Sequence, residues 1–547
     1  MSKNVVFQKV KNLHPEKNAF DLSYDHKFTT DMGILYPVQV DEVVAGDVWK
    51  MSNEVVTRMM PMIAPVIHDI SINTHTFFIP YRLLQDDWDK FISGGSKGTY
   101  VGKVPKYPLT MDDNQVGTIW EALGHPVGDP VDGYIKKKLD ELAVDPAYDR
   151  NVPDDYARRA YNFVYDEYYR DQNLQLPIND DGTGESSQPP KVWASDLNSK
   201  MLKRRNWKKD YKRAALPFRQ RGTAPSLPIA GTTSAVFEGP VAGLNDVLAT
   251  RVQFDRALGG GTFGAQAANV ETWASAFKNW HNTNSVDLSV ASTFDIADLR
   301  VAFQLQKFLE RNARTGVRYT EFLKAHFGVS PSDERLNRPE YIGGTKQWLI
   351  VSEVLQTSET SSESPQGTMA GHGITATSGF IGTYRVLEPG IIMTLLSIMP
   401  EPVYEDGINR QWLRNEKEDF YFREFANLSE QAIYNCEIMP TGIESVDMDI
   451  WGYIPRYDEM RVKQSKVTGL MRVKLPPGEQ SLAFWHLGQS FVEGSVPPLN
   501  SSFIECNPDK RIFAVPSEPG FLVNYASRIV GIRPMPLIAE PGLIDHF

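Results

Sequence analysis

The sequence predicts a mainly β fold, a jelly-roll β-sandwich of about eight strands with long, partly helical insertions. The first observation is that short segments rich in β-branched and aromatic residues lie near both ends of the chain, bounded by turn residues. The second is that 40 glycines and 36 prolines favour many short strands over a helical bundle. The third is that helical patterns replace these segments in the middle of the chain.

Two strands are predicted in the N-terminal block. They are GILYPVQV, which begins at Gly33, and NTHTFFIP, which begins at Asn73. In the second segment, Thr74, Thr76 and Phe78 alternate with His75, Phe77 and Ile79, as expected for a strand with at least one buried face.

Short amphipathic helices are predicted after this block, joined by loops rich in proline and glycine. The segments are YRLLQDDWDKFI, GTIWEALG, VPDDYARRAYNFVYDEYYRDQ, FDIADLRVAFQLQKFLERNARTG and RYTEFLKAHFG. The fourth segment has apolar residues at near-helical spacing and ends at Gly316, so it is the clearest helix.

Strand patterns return from Gln347 onward. The segments are QWLIVSEVL, FIGTYRVLEPGIIMTLLSIMP, TGLMRVKLP, RIFAVP and FLVNYASRIVGIRP. The apolar run from Ile391 to Met399 lies between Gly390 and Pro400 and is far too short to span a membrane, so it predicts a buried strand.

These patterns divide the chain into an N-terminal arm, a sandwich and an insertion. We expect the arm at residues 1–30, the sandwich from residues 31–80 and 345–547, and the insertion at residues 81–344. Such an insertion is tolerated because the entropy cost of closing a loop grows slowly with its length.

Composition excludes some classes of protein. The formal net charge of −11 is not that of a dedicated nucleic-acid-binding protein, so any contact with nucleic acid must be local. The two cysteines, Cys436 and Cys506, fit no metal spacing and are expected to be reduced thiols. The N-terminus has no secretory signal pattern, which predicts a cytosolic product.

Motifs for catalysis are weak or missing. Gly259, Gly261 and Gly264 match the dinucleotide fingerprint, but the preceding segment is too polar for a buried parallel strand, which favours a flexible loop. His68 and His75 form the nearest candidate metal pair, yet no ligand set surrounds them, so structural histidines are expected. We therefore expect no enzyme activity, no cofactor and no metal.

One local feature of the sequence favours binding to nucleic acid. Residues 200–213 would form a basic helical face with aromatic side chains beside it, which suits phosphate neutralisation and base stacking on a single strand. The alternatives are a solvated helix face, or one paired with an acidic surface of a neighbouring subunit. The candidate DNA-binding residues are Lys200, Lys203, Arg204, Arg205, Trp207, Lys208, Lys209, Tyr211, Lys212 and Arg213.

Several longer strings resemble the major capsid protein of microviruses, especially the gokushovirus branch. They touch both termini and the centre, and they occur in that family's order. The strings are FDLSYDHKFTTDMGILYPV, THTFFIPYRLLQDDWDKFI, LRVAFQLQKFLERNARTGVRYTEFLKAHFGVSPSDERLNRPEYIGG, DFYFREFANLSEQAIYNCEI and PMPLIAEPGLIDHF.

The resemblance implies a viral jelly roll that self-assembles into a T=1 icosahedral capsid around a circular single-stranded DNA genome. Implied partners are identical subunits, the genome, a small internal DNA-binding protein, a pilot protein and a receptor on the bacterial host surface. The implied location is the virion, with assembly in the host bacterial cytoplasm. In the gokushovirus branch an insertion forms a protrusion at the threefold axes, and the loop-rich residues 222–290 are its counterpart here.

Two other functions are compatible with the strand pattern. One is a cytosolic β-sandwich enzyme that acts on glycans with Asp/Glu pairs, and the other is a module that binds a host surface. A capsid protein should form large particles or oligomers, whereas a strictly monomeric protein that turns over a glycan would support the enzyme.

Overall fold

The structure is a computed structural model that describes residues 16–128, 134–144, 152–180, 190, 192–225, 296–316, 318–355 and 369–538. The chain divides into two compact units. The larger unit contains Met1–Arg219 and Thr315–Phe547, and the smaller contains Gln220–Arg314.

The larger unit is built on antiparallel sheets. The first sheet has the order β1-β12-β4-β8-β7, with β2 also paired to β12, the second has the order β3-β9-β5-β6, and β10 and β11 form a separate ribbon. The strands are β1 Asn18–Asp21, β2 Tyr24–Thr30, β3 Tyr36–Val43, β4 Val48–Met59, β5 Ile70–Pro80, β6 Glu340–Trp348, β7 Val351–Leu355, β8 Met369–Arg385, β9 Gly390–Pro400, β10 Glu430–Tyr434, β11 Ile450–Pro455 and β12 Phe521–Arg533.

The predicted jelly-roll sandwich is confirmed. Strands β2, β12, β4 and β8 form one four-stranded layer, and β3, β9, β5 and β6 form the other. The two ends of the chain meet inside the first layer, because β12 pairs with β4 from Phe521 opposite Met59 to Ile532 opposite Val48. The first layer therefore combines strands from both ends of the sequence.

The space between the sheets is filled from both layers. Val55 of β4 and Phe521 and Tyr525 of β12 pack with Ile72 of β5 and Leu396 of β9 in one cluster. A second cluster joins Trp49, Met51 and Ile529 of the first sheet to Phe78 and Ile392 of the second. Buried and solvent-facing residues therefore alternate along β4, because successive side chains point alternately into this core and out to solvent.

Helices cover the outer face of the second sheet. Phe77 of β5 and Met393 and Leu395 of β9 pack against Tyr161 and Phe163 in the same apolar cluster. Every residue of β9 is consequently buried, which explains why its sequence is continuously apolar rather than alternating.

Most of the predicted helices are present, and none of the described helices is long and apolar enough to span a membrane. They are α1 Tyr81–Leu84, α2 Trp88–Ser93, α3 Ile119–Ala122, α4 Tyr134–Val144, α5 Tyr156–Val164, α6 Leu197–Lys200, α7 Ile296–Thr315, α8 Tyr319–Phe327, α9 Asn435–Ile438, α10 Glu444–Asp447, α11 Asp458–Arg461 and α12 Ser501–Ile504. A π-helical turn, Tyr165–Tyr169, continues α5.

The chain leaves the sandwich twice. The first excursion, residues 81–339, joins β5 to β6, and the second, residues 401–520, joins β9 to β12. The second contains the β10–β11 ribbon and adds no named strand to either sheet of the sandwich. It has a small core of its own, in which Ile433, Ile454 and Phe503 pack with Tyr211 of the first excursion.

Two predicted strands were wrong, and both fall in the second excursion. In TGLMRVKLP the structure has a 3₁₀ turn, Gly469–Met471, and the apolar Leu470 and Val473 are exposed, so no buried face supports a strand. In RIFAVP the chain turns, and Ile512 and Phe513 are inserted into the core between the sheets as single side chains.

The limits predicted for the arm and for the protrusion can also be compared with the structure. Strands β1 and β2 lie within residues 1–30, where an arm was expected, so the first sheet already begins there. Residues 226–290 of the predicted protrusion, including Gly259, Gly261 and Gly264, lie outside the described residues.

The smaller unit is described at residues 220–225 and along most of α7. The backbone N–H of Arg221 donates to the carbonyl of Leu309 at 3.4 Å, and Gln306 donates to Gln220 and to Glu310. The predicted helix ending at Gly316 is confirmed, and Gly316 has the positive φ of 99° that terminates a helix there.

Replacing Leu396 with alanine should destabilise the sandwich strongly. Leu396 is fully buried between the sheets, and such a truncation costs about 2–5 kcal/mol in lost transfer energy and cavity formation. The measurement is the urea midpoint of the unassembled subunit. Leu387→Ala, at an exposed leucine between β8 and β9, is the control and should change little. Equal midpoints for the two variants would contradict the described core.

Candidate nucleic-acid interface

Residues 200–213, which we call the basic strap, do not form the predicted helix. Helix α6 ends at Lys200, and the strap then continues without helix, with bridges from Arg204 to Ile34 and from Asn206 to Glu505, before a turn at residues 211–214. The helical interpretation was therefore wrong, and the two basic rows that it required do not exist. The strap's backbone pairs with remote segments of chain, and these contacts outweigh its local helix propensity.

The first lysine of the strap is buried in an ion pair. Lys200 Nζ lies 2.9 Å from Asp113 Oδ2 and 2.8 Å from Thr110 Oγ1. Asp113 also accepts a hydrogen bond of 3.0 Å from the Tyr107 hydroxyl. Because both charges are removed from water, this ammonium group is committed to the interior of the subunit.

Two further lysines are buried with fewer acidic partners. Lys203 donates to the side chain of Asn198 at 2.7 Å, and Lys212 donates to the carbonyl of Asp406 at 2.9 Å while lying 4.4 Å from the ring centroid of Tyr404. Burial lowers the pKa of Lys203 and of Lys212 to about 8 in each case. Both side chains are structural parts of the core.

Arg213 and the two aromatic residues of the strap are also buried. The Arg213 guanidinium lies 4.7 Å from the ring centroid of Trp207 and 3.5 Å from Asp210 Oδ2, and it donates to the Tyr404 hydroxyl. The hydroxyl of Tyr211 donates to Glu437 Oε2 at 2.8 Å. Trp207 and Tyr211 therefore have no exposed ring face for base stacking in the isolated subunit.

Arg204 and Arg205 are half-buried and donate to neighbouring segments. Arg204 Nη1 lies 3.1 Å from the carbonyl oxygen of Met32. Arg205 Nη1 lies 3.1 Å from Ser397 Oγ of β9, and its guanidinium lies 5.7 Å from the ring centroid of Tyr169. These two arginines join the strap to the start of β3 and to β9.

Lys208 and Lys209 are the exposed members of the strap. Their side chains are 68% and 70% exposed, and they pair with Glu401 at 2.9 Å and with Asp171 at 3.2 Å. Exposed ion pairs of this kind contribute little to stability, so either ammonium group can exchange its carboxylate for another anion. Of the ten candidate residues, these two present a charge to solvent.

Sequence reasoning missed the residues that hold the strap. Asp113 is 87 positions from Lys200, Asp406 is 194 positions from Lys212, and Glu437 is 226 positions from Tyr211. No local spacing could have revealed these pairs. The composition did contain one signal. The chain has more acidic than basic residues, so carboxylates elsewhere in the chain are available to pair with this basic segment.

The two histidines considered as a metal pair have other partners. His68 Nε2 lies 2.8 Å from the carbonyl of Glu401, and His75 Nδ1 shares a hydrogen bond of 2.7 Å with the hydroxyl of Tyr169. Among the residues that the structure describes, no group of three His, Cys, Asp or Glu side chains could hold a metal ion. Cys436 and Cys506 are both free thiols.

The comparisons with known proteins identify the family. A family model described as capsid protein (F protein) matches residues 8–543. The chain belongs to this phage capsid protein family. The family match and the two-layered sandwich together make it a structural protein of the virion, not an enzyme, and confirm the predicted resemblance to microvirus capsid proteins.

Relatives of similar length support this membership. Capsid protein VP1 of Chlamydia phage 1 is 32% identical over 98% of this chain and 97% of that protein. Capsid protein VP1 of Bdellovibrio phage phiMH2K is 30% identical over 99% and 98%, and that of Spiroplasma virus 4 is 28% identical over 98% and 97%. The gokushovirus branch fits these matches.

Arg213→Ala should destabilise the capsid subunit, because it leaves Asp210 and the buried Tyr404 hydroxyl without their cationic partner. Breaking a buried pair from one side costs about 3–5 kcal/mol, whereas Lys209→Ala should cost at most about 1 kcal/mol. The measurement is the urea midpoint of each subunit. An Arg213 variant as stable as the Lys209 variant would show that the strap is not part of the core.

Acidification should weaken the subunit through His75. Burial, with Arg205 nearby, lowers the pKa of His75 to about 4, against about 6.5 in the unfolded chain. The neutral ring therefore stabilises the fold above pH 6.5, and this contribution is lost as the pH falls towards 4. At pH 5 the loss is roughly 2 kcal/mol.

The measurement is the change in urea midpoint between pH 7 and pH 5, for the wild-type subunit and for His75→Gln. Glutamine can still hydrogen-bond to Tyr169 but does not titrate in this range. The variant should therefore have a smaller pH dependence than the wild type. The same slope in both proteins would remove His75 as a source of acid sensitivity.

Proposed function

We propose that this capsid protein forms a T=1 icosahedral shell around a circular single-stranded DNA genome, and that subunits assemble in the cytoplasm of a bacterial host. The observation that carries the proposal is the family match over residues 8–543, joined to a sandwich whose order of strands is that of a viral jelly roll. A shell with closed icosahedral symmetry repeats identical contacts between identical subunits.

The proposal includes further partners. They are a small internal DNA-binding protein, a pilot protein and a receptor on the host surface, with residues 222–290 as the threefold protrusion that meets the receptor. The support for these partners is the resemblance of the sequence to the gokushovirus branch. An insertion between strands of a jelly roll suits this role, because surface loops vary without disturbing the sheets that carry them.

Particle formation tests the shell. The full chain, expressed in bacteria, should give closed particles in size-exclusion chromatography and electron microscopy, and a reconstruction should have T=1 symmetry. Particles of another triangulation would overturn the T=1 proposal alone. A chain that stays monomeric under every condition and turns over a glycan would instead support the rival enzyme.

Within the basic strap, we assign contact with the genome to Lys208 and Lys209. Both ammonium groups are exposed, they are adjacent in sequence, and their carboxylate partners are at the surface or near it. The other eight candidates are buried or half-buried in contacts within the subunit, so their loss would affect folding before it affected DNA. This narrows the DNA-binding prediction to two side chains.

Lys208→Gln with Lys209→Gln should lower the DNA content of particles and weaken salt-sensitive binding to single-stranded DNA. Each lost phosphate contact should reduce the slope of log K against log salt by about 0.7. Lys90→Gln with Lys97→Gln removes two exposed lysines elsewhere and is the matched control. Full packaging and an unchanged slope in the strap variant would end the assignment.

A further inference from the structure

Residues 483–488 of the second excursion, which we call the His486 loop, reach into the core of the sandwich. Leu487 is buried between the sheets, in the same apolar cluster as Val66 of the link between β4 and β5. The backbone N–H of Ile67, in the same link, donates to the carbonyl of Trp485 at 2.7 Å. The loop therefore contributes to the core and also joins the second excursion to the sandwich.

The ring of His486 is buried, and both of its nitrogen atoms have backbone partners. Nε2 lies 2.6 Å from the carbonyl oxygen of Met471, which can only accept, so Nε2 carries a proton. Nδ1 accepts from the backbone N–H of Gly488 at 2.8 Å, so Nδ1 carries none. Together these two contacts fix the neutral ring in one tautomer.

The backbone of Gly488 lies against this ring. A Cβ atom at that position would be 2.7 Å from His486 Nδ1, well inside van der Waals distance. Glycine allows the close approach because it has no side chain, and the approach brings its N–H within hydrogen-bonding distance of Nδ1. A proton added to Nδ1 would face this N–H group, and the hydrogen bond would be lost.

A guanidinium group lies beside the same ring. Arg511 Nη2 donates to the carbonyls of His486 and Gly488 at 3.1 and 2.6 Å, and its Nε donates to the carbonyl of Ala483 at 2.9 Å. These bonds hold Nη2 at 3.5 Å from His486 Nδ1, while Asp509 lies 3.9 Å from Nη1. A positive charge on the ring would be repelled by the guanidinium, which cannot move away without releasing the loop.

Two further titratable side chains act on His486. Glu405 favours the charged ring, although one of its carboxylate oxygens already accepts from a backbone N–H at 2.6 Å. His68, in the link between β4 and β5, would add a second positive charge if it were protonated. Burial, aided by Arg511, outweighs Glu405 and the Met471 carbonyl and lowers the pKa of His486 below its ordinary value.

We propose that His486 is an acid-sensitive switch that holds the His486 loop on the sandwich at neutral pH and releases it on acidification. A proton on Nδ1 breaks the bond from Gly488 and places a second positive charge beside Arg511, so the protonated ring is favoured when the loop has moved into solvent. Leu487 then leaves the core, and apolar surface between the sheets becomes accessible. The switch goes beyond the proposed shell, because it belongs to the single subunit.

The direction and size of the effect follow from proton linkage. In the released loop His486 has the ordinary histidine pKa of about 6.5, and in the bound loop its pKa is lower. The released loop therefore binds more protons as the pH falls below 6.5, and the ratio of released to bound loop rises by at most about tenfold per pH unit. Between pH 7 and pH 5 the largest possible increase is about 25-fold.

Amide hydrogen exchange of the full-length subunit measures this release. Protection factors, which correct for the pH dependence of the intrinsic exchange rate, are compared at pH 7 and pH 5 for the amides of Trp485, His486 and Gly488. In the wild type these protection factors should fall by several-fold, up to about 25-fold.

His486→Asn separates this histidine from other titrating groups. An asparagine side chain can accept from the N–H two residues further on, as Nδ1 of His486 does, and it does not titrate. Protection of its loop should depend little on pH. His372→Asn, at an exposed histidine of β8, is the matched control and should keep the wild-type pH dependence. If the asparagine variant does not fold, His486→Gln replaces it, because glutamine can still donate to the Met471 carbonyl.

Two results would overturn the switch. One is a wild-type loop with equal protection at pH 7 and pH 5. The other is an equal loss of protection in the wild type and in the variant that does not titrate, because another group would then release the loop. All these proteins retain His75, so acid sensitivity from that residue is common to them. Shell formation is not measured, so the result does not depend on the proposed function.

Discussion

The burial of β9 on both faces is the constraint on which the rest of the subunit depends. A sandwich strand normally has one face between the sheets and one face towards solvent, yet all of β9 and most of β5 are buried. Helix α5 and its π-helical continuation supply the second cover. The first excursion is therefore part of the fold, since without it the outer face of the second sheet would expose Phe77, Met393 and Leu395 to water.

The basic strap follows from the same arrangement. It belongs to the first excursion, contacts the chain before β3, β9 at Ser397 and the second excursion at Glu505, and its polar side chains therefore have to find partners in the interior. Lys200 pairs with Asp113, Tyr211 with Glu437 and Arg213 with Asp210, and each pairing offsets a desolvation cost of several kcal/mol. These pairings fix the position of the strap more than they stabilise the subunit, because a displaced strap would leave several charges buried without partners.

The sandwich could be predicted from the sequence because its signals are local. Period-two alternation, bounding turn residues and the apolar run of β9 each need only a few neighbouring residues. Strand β4 was overlooked although its inward residues Trp49, Met51 and Val55 do alternate, so a stricter count would have found it. The strap could not be predicted, because a basic run has the same local pattern whether it faces solvent or remote carboxylates, and only tertiary contacts decide between them.

The aromatic side chains of the larger unit divide into two groups with different consequences. Trp49, Trp120 and Trp207 are buried and stabilise the fold of the single subunit. Trp412 and Tyr421 lie in the second excursion and are largely exposed, and the ring of Tyr421 packs edge-on against Tyr457. In a monomeric protein this arrangement would only favour aggregation. In a capsid protein, which assembles with copies of itself, exposed rings of this kind are available for contacts between subunits.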